Sequence, residues 1–189
     1  MIAGLKNGNI MVSPVSANDF KVVMRSHCDG EIWGLEVIHL EGGEVRVLTS
    51  ADDGRILAYD LSKRGCLAEG AVNVEGKEKK KKKKAIKGGA SSMSSQPPEA
   101  QSRCLAYLDS KKHLAVANNV GRVTIRDIDW AQVDSGDSTG LNNVINVLFD
   151  KIKKPEWIEF MSYSPDEKYL GVGSHDNFIY LMDVAKNYK

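Results

Sequence analysis

Apolar residues along this chain come in short runs that alternate with polar ones and stop at Asp, Asn, Gly or Ser-Pro turns. The first run is Gly8 to Val15. Glu31 to Ile38, Glu44 to Ser50 and Arg55 to Leu61 follow, the last two joined by the turn Ala51 to Gly54. After a polar break come Arg103 to Asp109, Lys111 to Ala117 and, across the turn Asn118 to Gly121, Arg122 to Ile128. The closing set is Trp157 to Ser164, Tyr169 to Ser174 and Asn177 to Val184. In Glu44 to Ser50 the side chains of Val45, Val47 and Thr49 share one face. Period-two alternation, short length and Gly/Asn/Asp punctuation predict antiparallel strands and an all-β chain.

The strand groups are repeats. Leu48 to Asp60, Leu114 to Asp127 and Leu170 to Asp183 each join a strand of small residues, a polar turn and a second strand ending in Asp. The terminal residues Asp60, Asp127 and Asp183 lie 67 and 56 residues apart. A four-stranded unit of a repeat fold needs only about 40–45 residues, so the surplus is assigned to two insertions. The first, 70–102, holds a lysine run, a Gly/Ser patch and Pro97-Pro98, the composition of a disordered or extended loop. The second, 129–155, places Leu141, Val144, Ile145 and Leu148 at helical spacing, which suggests a short amphipathic helix or else a loosely packed loop.

These endings resemble WD40 repeats. Ser26 to Ile38 is similar to the opening of such a repeat and Thr49 to Asp60 to its close. The usual Trp-Asp pair stands as Tyr59-Asp60, Arg126-Asp127 and Met182-Asp183, keeping only the Asp. Asp29 to Val37, Glu156 to Val184 and Gly4 to Val12 resemble, more narrowly, the echinoderm microtubule-associated protein-like (EMAP-like) family. The resemblance implies WD40-type β-propeller blades within 1–189, about three of them, near 26–62, 102–128 and 156–184. Three blades make an incomplete ring, to be completed by a missing segment or another chain. It also implies a buried structural network of His27, Thr49, Asp53 and Tyr59 in the first repeat. The second repeat has Val120 where Asp53 stands. The third keeps Asp176 but has Val172 in place of Thr49.

Composition changes this picture little. The 189 residues carry a net charge of about +1, so no global field draws the chain to nucleic acid or membrane, and no apolar run is long enough for a transmembrane helix. The N-terminus lacks the pattern of a signal peptide. Cys28, Cys66 and Cys104 are scattered and read as free thiols in a reducing compartment. The balanced charge conceals one asymmetry, the block Lys79, Lys80, Lys81, Lys82, Lys83 and Lys84. It is a candidate contact for a polyanion such as tubulin, or else a solvated insertion. Without interleaved aromatics, sequence-specific nucleic-acid binding is not expected.

No constellation points to catalysis. His27 and Cys28 are adjacent without a third activating group, and His27, His39, His113 and His175 show no metal-ligand spacing with the cysteines. No metal or other cofactor is expected. Trp33 and Trp157 occupy similar places near the first strands of their repeats, suited to packing or to anchoring a partner. The resulting expectation is a non-catalytic structural or scaffold protein of ciliary or flagellar axonemal microtubules. Its partners would be tubulin and other cytoskeletal proteins, and its location the cytoplasm, cytoskeleton and cilium. The alternative is a WD40 adaptor in a soluble multiprotein complex.

Overall fold

The computed structural model describes residues 1–5, 9–14, 20–25, 27, 29–63, 65–73, 96, 100–148 and 156–189, with backbone only for 22–25. Four antiparallel sheets follow one another along the chain. The first contains β1 (Ile2–Gly4), β2 (Asn9–Val12) and β3 (Lys21–Arg25). The second is β4 (Ile32–His39), β5 (Val45–Ala51), β6 (Arg55–Asp60) and β7 (Gly65–Ala71). The third is β8 (Ser102–Leu108), β9 (His113–Asn118), β10 (Val123–Asp127) and β11 (Val144–Val147). The fourth has three strands, β12 (Ile158–Tyr163), β13 (Tyr169–Ser174) and β14 (Ile179–Asp183). Strands pair in simple sequential order within each sheet, and among the described residues no strand of the first sheet pairs with one of the fourth.

This corrects the fold expected from the sequence. The chain is mostly β, with four open, unclosed sheets rather than about three blades of a WD40 propeller. The sequence does not mark the extra sheet, because residues 1–25 lack the Asp-terminated ending of the other three and its strands are only three to five residues long. The expected helix around Leu141 to Leu148 is also corrected. Helices there are limited to α1 (Trp130–Asp134) and α2 (Thr139–Asn142), and Val144–Val147 is the outer strand β11. Leu141 and Leu148 are both fully buried, but they flank a strand and do not share a helical face. Likewise Gly70 and Ala71, placed in the first insertion, end strand β7.

The sheets stack face on face, so the inner strands of the second and third sheets are buried on both sides. In β8, Cys104, Ala106 and Leu108 face the fourth sheet, whereas Leu105 and Tyr107 face the second. In β9, Ala115 and Ala117 face the fourth sheet, and Leu114 and Val116 the second. Ile10 of the first sheet packs on Val47, Leu57 and Tyr59 of the second. Two buried arginines tie the helices to this stack. Arg46 of β5 reaches Asp134 of α1 through Nε (2.9 Å) and Nη2 (3.0 Å), and lies 3.4 Å from Asp60. Arg126, wholly buried, donates to the carbonyls of Val72 (2.7 Å) and Leu141 (3.1 Å). Burial pulls its guanidinium down to about 9.

The second and third sheets approach each other at Gly34, where a Cβ would lie 2.6 Å from Leu105 Cγ and also meet Ser50 Oγ. Leu105 Cγ is a branched carbon inside a packed core and cannot swing aside. Gly34→Ala should therefore cost about 1–3 kcal/mol, read as a lower urea midpoint at unchanged slope. Gly65→Ala, whose Cβ would meet only the Lys63 carbonyl at 3.8 Å, should leave the midpoint within about 0.5 kcal/mol or raise it. Equal midpoints for the two variants would refute the close approach.

Candidate functional site

Each of the last three sheets has a bulge at the same place in its first strand. The register shifts between Ile32 and Gly34, between Ser102 and Cys104, and between Ile158 and Phe160. The extra residues are Trp33, Arg103 and Glu159. A bulge turns one side chain out of the regular alternation, so these three are presented at the ends of the sheets. One residue earlier than each strand, matching backbone bonds fix the facing turns. Asp52 N donates to the Glu31 carbonyl at 3.0 Å, Asn119 N to that of Gln101 at 3.1 Å and His175 N to that of Trp157 at 3.0 Å. Trp157 is thus the counterpart of Glu31 and Gln101, not of Trp33, two positions away from the equivalence read from the sequence.

The offset brings both indoles onto one cation. Arg103 Cζ lies 4.3 Å from the Trp33 ring centre and 4.7 Å from that of Trp157. The row continues to His175, edge-on to Trp157 at 4.7 Å, and His175 Nδ1 is 3.5 Å from Glu156. At the other end Trp33 Nε1 donates to Asp52 (2.9 Å), whose second oxygen accepts from Glu31 N (3.2 Å). Burial raises the Asp52 carboxyl above its ordinary value in spite of these bonds. Trp33 is 43% exposed. The Arg103 Nε and Trp157 Nε1 atoms are buried without a hydrogen-bond partner among the described residues. A guanidinium between two indoles is held by cation–π attraction of about 0.5–2 kcal/mol per ring. The array spans three sheets, is held by their packing, and leaves an aromatic face toward solvent.

A polar network lies in the second sheet. His27 is buried, with Nδ1 2.9 Å from Asp53 Oδ1 and Nε2 2.9 Å from Thr49 Oγ1. Asp53 accepts further bonds from Arg55 Nε (3.0 Å), Nη2 (2.8 Å) and backbone N (3.1 Å), and Arg55 Nη1 reaches Glu69 at 3.2 Å. Burial pushes the Asp53 carboxyl up, but the hydrogen bond and charge of His27, together with Arg55, outweigh it and hold the group at about 2. An ionised carboxylate can only accept, so His27 Nδ1 donates to Asp53. Both ring nitrogens of His27 are engaged, and Cys28 lies outside the described residues. Tyr59 belongs to the apolar cluster of Ile10, Val47 and Leu57, cross-strand from Val47. Asp176 is not part of the His27 group. It accepts from Tyr180 Oη (2.6 Å) and Phe178 N (3.1 Å) in the β13–β14 turn.

The repeat-end aspartates differ in the turns they cap. Asp60 accepts from Ser62 Oγ (2.6 Å) and N (2.8 Å), and the Ser62 bonds hold it at about 2. Asp183 accepts from Ala185 N (2.9 Å) and Lys186 N (3.2 Å), with Lys186 Nζ at 3.0 Å, and is lowered for that reason. Asp127 is exposed, and the capping of the next turn falls to Asp129, which accepts from Ala131 N and Gln132 N. The residues preceding them, Tyr59, Arg126 and Met182, are all buried. The lysines Lys79 to Lys84 lie outside the described residues. Among the described residues no group of three or more His, Cys, Asp or Glu could hold a metal ion, and no helix is long and apolar enough to cross a membrane.

The WD40 resemblance names His27, Thr49 and Asp53 together and puts Arg126 only in the place of the usual Trp, while nothing in it gives a role to Arg103. The only other mark of the two arginines is a charge at a position where the strand alternation calls for an apolar or small residue. His27→Ala would leave the buried Asp53 and Thr49 groups without this partner, at a cost of about 1–3 kcal/mol in urea unfolding. The Asp53 contribution should be fully present above about pH 4 and lost as pH falls through about 2, because its folded value lies below the unfolded one near 3.9. The stability of Asp53→Asn should be lower at neutral pH and flatter across that window. A slope equal to wild type would show that Asp53 is not held ionised by the network.

No protein-family model matches the chain. Over 98% of its length it is 38% identical to the ciliary WD repeat-containing protein ctxp80 of Euplotoides octocarinatus, of which it covers 23%. Over 90% it is 25% identical to human echinoderm microtubule-associated protein-like 3, of which it covers 14%. The chain therefore spans a quarter or less of these curated relatives, and the homology to WD-repeat and EMAP-like proteins is partial. In fold it is similar to a chain in the crystal structure of a mitotic checkpoint complex, with a TM-score of 0.56 at 14% identity, over 97% of this chain and 44% of that one.

Proposed function

We propose that the chain acts as a non-catalytic docking module of a microtubule-associated scaffold, located in the cilium or flagellum. The observation that carries this reading is the similarity to a ciliary WD repeat-containing protein along 98% of the chain. The similarity to a human microtubule-associated protein-like sequence supports it. The geometry suits docking. The Trp33–Arg103–Trp157 row is set by three stacked sheets, and rigid elements hold contact groups more precisely than loops do. Trp and Arg are also among the side chains that most often dominate protein interfaces.

Two contributions divide the binding. The row supplies a shape-specific contact through Trp33. The lysines Lys79 to Lys84 supply charge attraction toward an acidic surface such as tubulin, since lysine acts as a flexible point charge. Exposed charges are screened beyond about 8 Å at physiological ionic strength, so only the second contribution falls steeply with salt.

The test is microtubule co-sedimentation over a salt series. Replacing Lys79 to Lys84 by alternating Ser and Gly should weaken binding at low salt and change little at high salt. Trp33→Ala should weaken it about tenfold or more at every salt, as expected of an interface anchor worth about 2 kcal/mol. If the wild-type chain fails to sediment with microtubules at any salt, the microtubule reading falls and the adaptor in a soluble complex takes its place.

A further inference from the structure

Arg103 differs from the other arginines whose side chains are described. Arg46 bonds Asp134 and Glu44, and Arg55 bonds Asp53 and Glu69. Arg122 reaches Asn73 at 3.5 Å, and Arg126 donates to the carbonyls of Val72 and Leu141. Arg103 bonds no oxygen among the described residues. Its Nε is shut off from solvent, whereas its two Nη groups, equally without a partner, stay open to it. The carboxylates nearby are turned to other groups. Asp52 accepts from Trp33 Nε1 and Glu31 N, and Glu156 stands beside His175.

The walls of this site belong to the chain itself. The third sheet, which carries Arg103, packs against the second on one side and the fourth on the other. Trp33 comes from the second sheet and Trp157 from the start of the fourth, their ring centres 4.3 and 4.7 Å from Arg103 Cζ. The bulge between Ser102 and Cys104 turns the side chain to the end of the sheet. Two indoles fix the guanidinium and leave its Nη edge as the open approach. An acid arriving at that edge meets N–H donors at the spacing of a carboxylate's two oxygens. A side chain already held in place loses less freedom on binding than a mobile one.

The surroundings also select among anions. Asp52 lies beside Trp33, Glu156 beside His175, and Glu159 is the extra residue of the next bulge. These carboxylates repel a dianion such as phosphate more strongly than a singly charged group, and they repel a run of acidic residues for the same reason. Trp33, partly exposed, adds apolar surface beside the cation.

We propose that Arg103 receives one carboxylate of a docking partner on its two Nη groups, a Glu or Asp side chain flanked by apolar residues that lie against Trp33. The inference rests on the reading of the Trp33–Arg103–Trp157 row as a docking surface and names the chemistry which that surface recognises.

Nuclear magnetic resonance of the 189-residue chain tests it through the indole N–H signals of Trp33 and Trp157. The probe is a capped tripeptide with one Glu between two Leu, which should shift both signals as it is added. The same peptide with Gln for Glu, and inorganic phosphate, should each bind at least about tenfold more weakly, the size of one hydrogen bond to a charged group. Arg103→Gln should abolish the shifts. Arg103→Lys keeps the charge, loses the fork and should weaken binding about tenfold. If either variant fails to fold, the Glu and Gln peptides on the unaltered chain decide alone. No shift with the Glu peptide, equal binding of the two peptides, or full binding by a folded Arg103→Gln would overturn carboxylate recognition. Phosphate binding tighter than the Glu peptide would overturn it too. A Glu peptide that binds as expected, in a chain that does not sediment with microtubules, would remove the microtubule reading and leave the carboxylate site standing.

Discussion

The structure depends on sheets that bury apolar side chains on both faces. A three- or four-stranded antiparallel sheet of this size cannot cover itself, and the inner strands of the second and third sheets alternate between two neighbours in place of alternating between core and water. Strands such as β8 and β9, with Cys104, Ala106 and Ala115 toward one sheet and Leu105, Leu114 and Val116 toward another, make sense only as the middle of a stack. Burial at roughly 25 cal/mol per Å² of apolar surface is what holds it together. The alternation of small with branched side chains sets how closely the sheets approach, as at Gly34 against Leu105.

Polar groups inside such a stack survive where they close a local circuit. His27, Thr49 and Asp53 do so for the second sheet, with Arg55 completing the carboxylate's bonds. The third sheet has no equivalent, since Val116 and Val120 stand where Thr49 and Asp53 do. There a single guanidinium, Arg126, satisfies two carbonyls from Val72 and Leu141 and so ties the end of one sheet and the helical segment to the next. The fourth sheet uses a turn carboxylate, Asp176, with Tyr180. Three repeats with one backbone plan thus meet the same need with different chemistry.

The bulges convert that plan into a surface. Because the same register shift recurs in β4, β8 and β12, residues from three sheets are brought to one end, and two of them, Trp33 and Arg103, stack directly. Trp157 completes the sandwich from the position before its strand, held by the bond from His175 N. A contact surface assembled this way is rigid because each of its members is pinned by a different sheet. It also needs no acid, base or metal to serve as a docking face.

The sequence by itself determined the strands around the Asp-terminated turns, from Val45–Ala51 and Arg55–Asp60 to Tyr169–Ser174 and Ile179–Asp183. Period-two patterning and turn chemistry are local, and they are written residue by residue. His27, Thr49 and Asp53 came forward only through the resemblance to WD40 repeats. Only the tertiary structure decided how many sheets there are and that they stay open, because pairing and stacking join residues far apart in the chain. It turned Val144–Val147 into a strand where helical spacing suggested a helix, since an outer edge beside β10 was available to it. It set Tyr59 in an apolar cluster. It set Arg103 between two indoles, a placement fixed by a one-residue bulge that leaves no trace in the hydrophobic pattern.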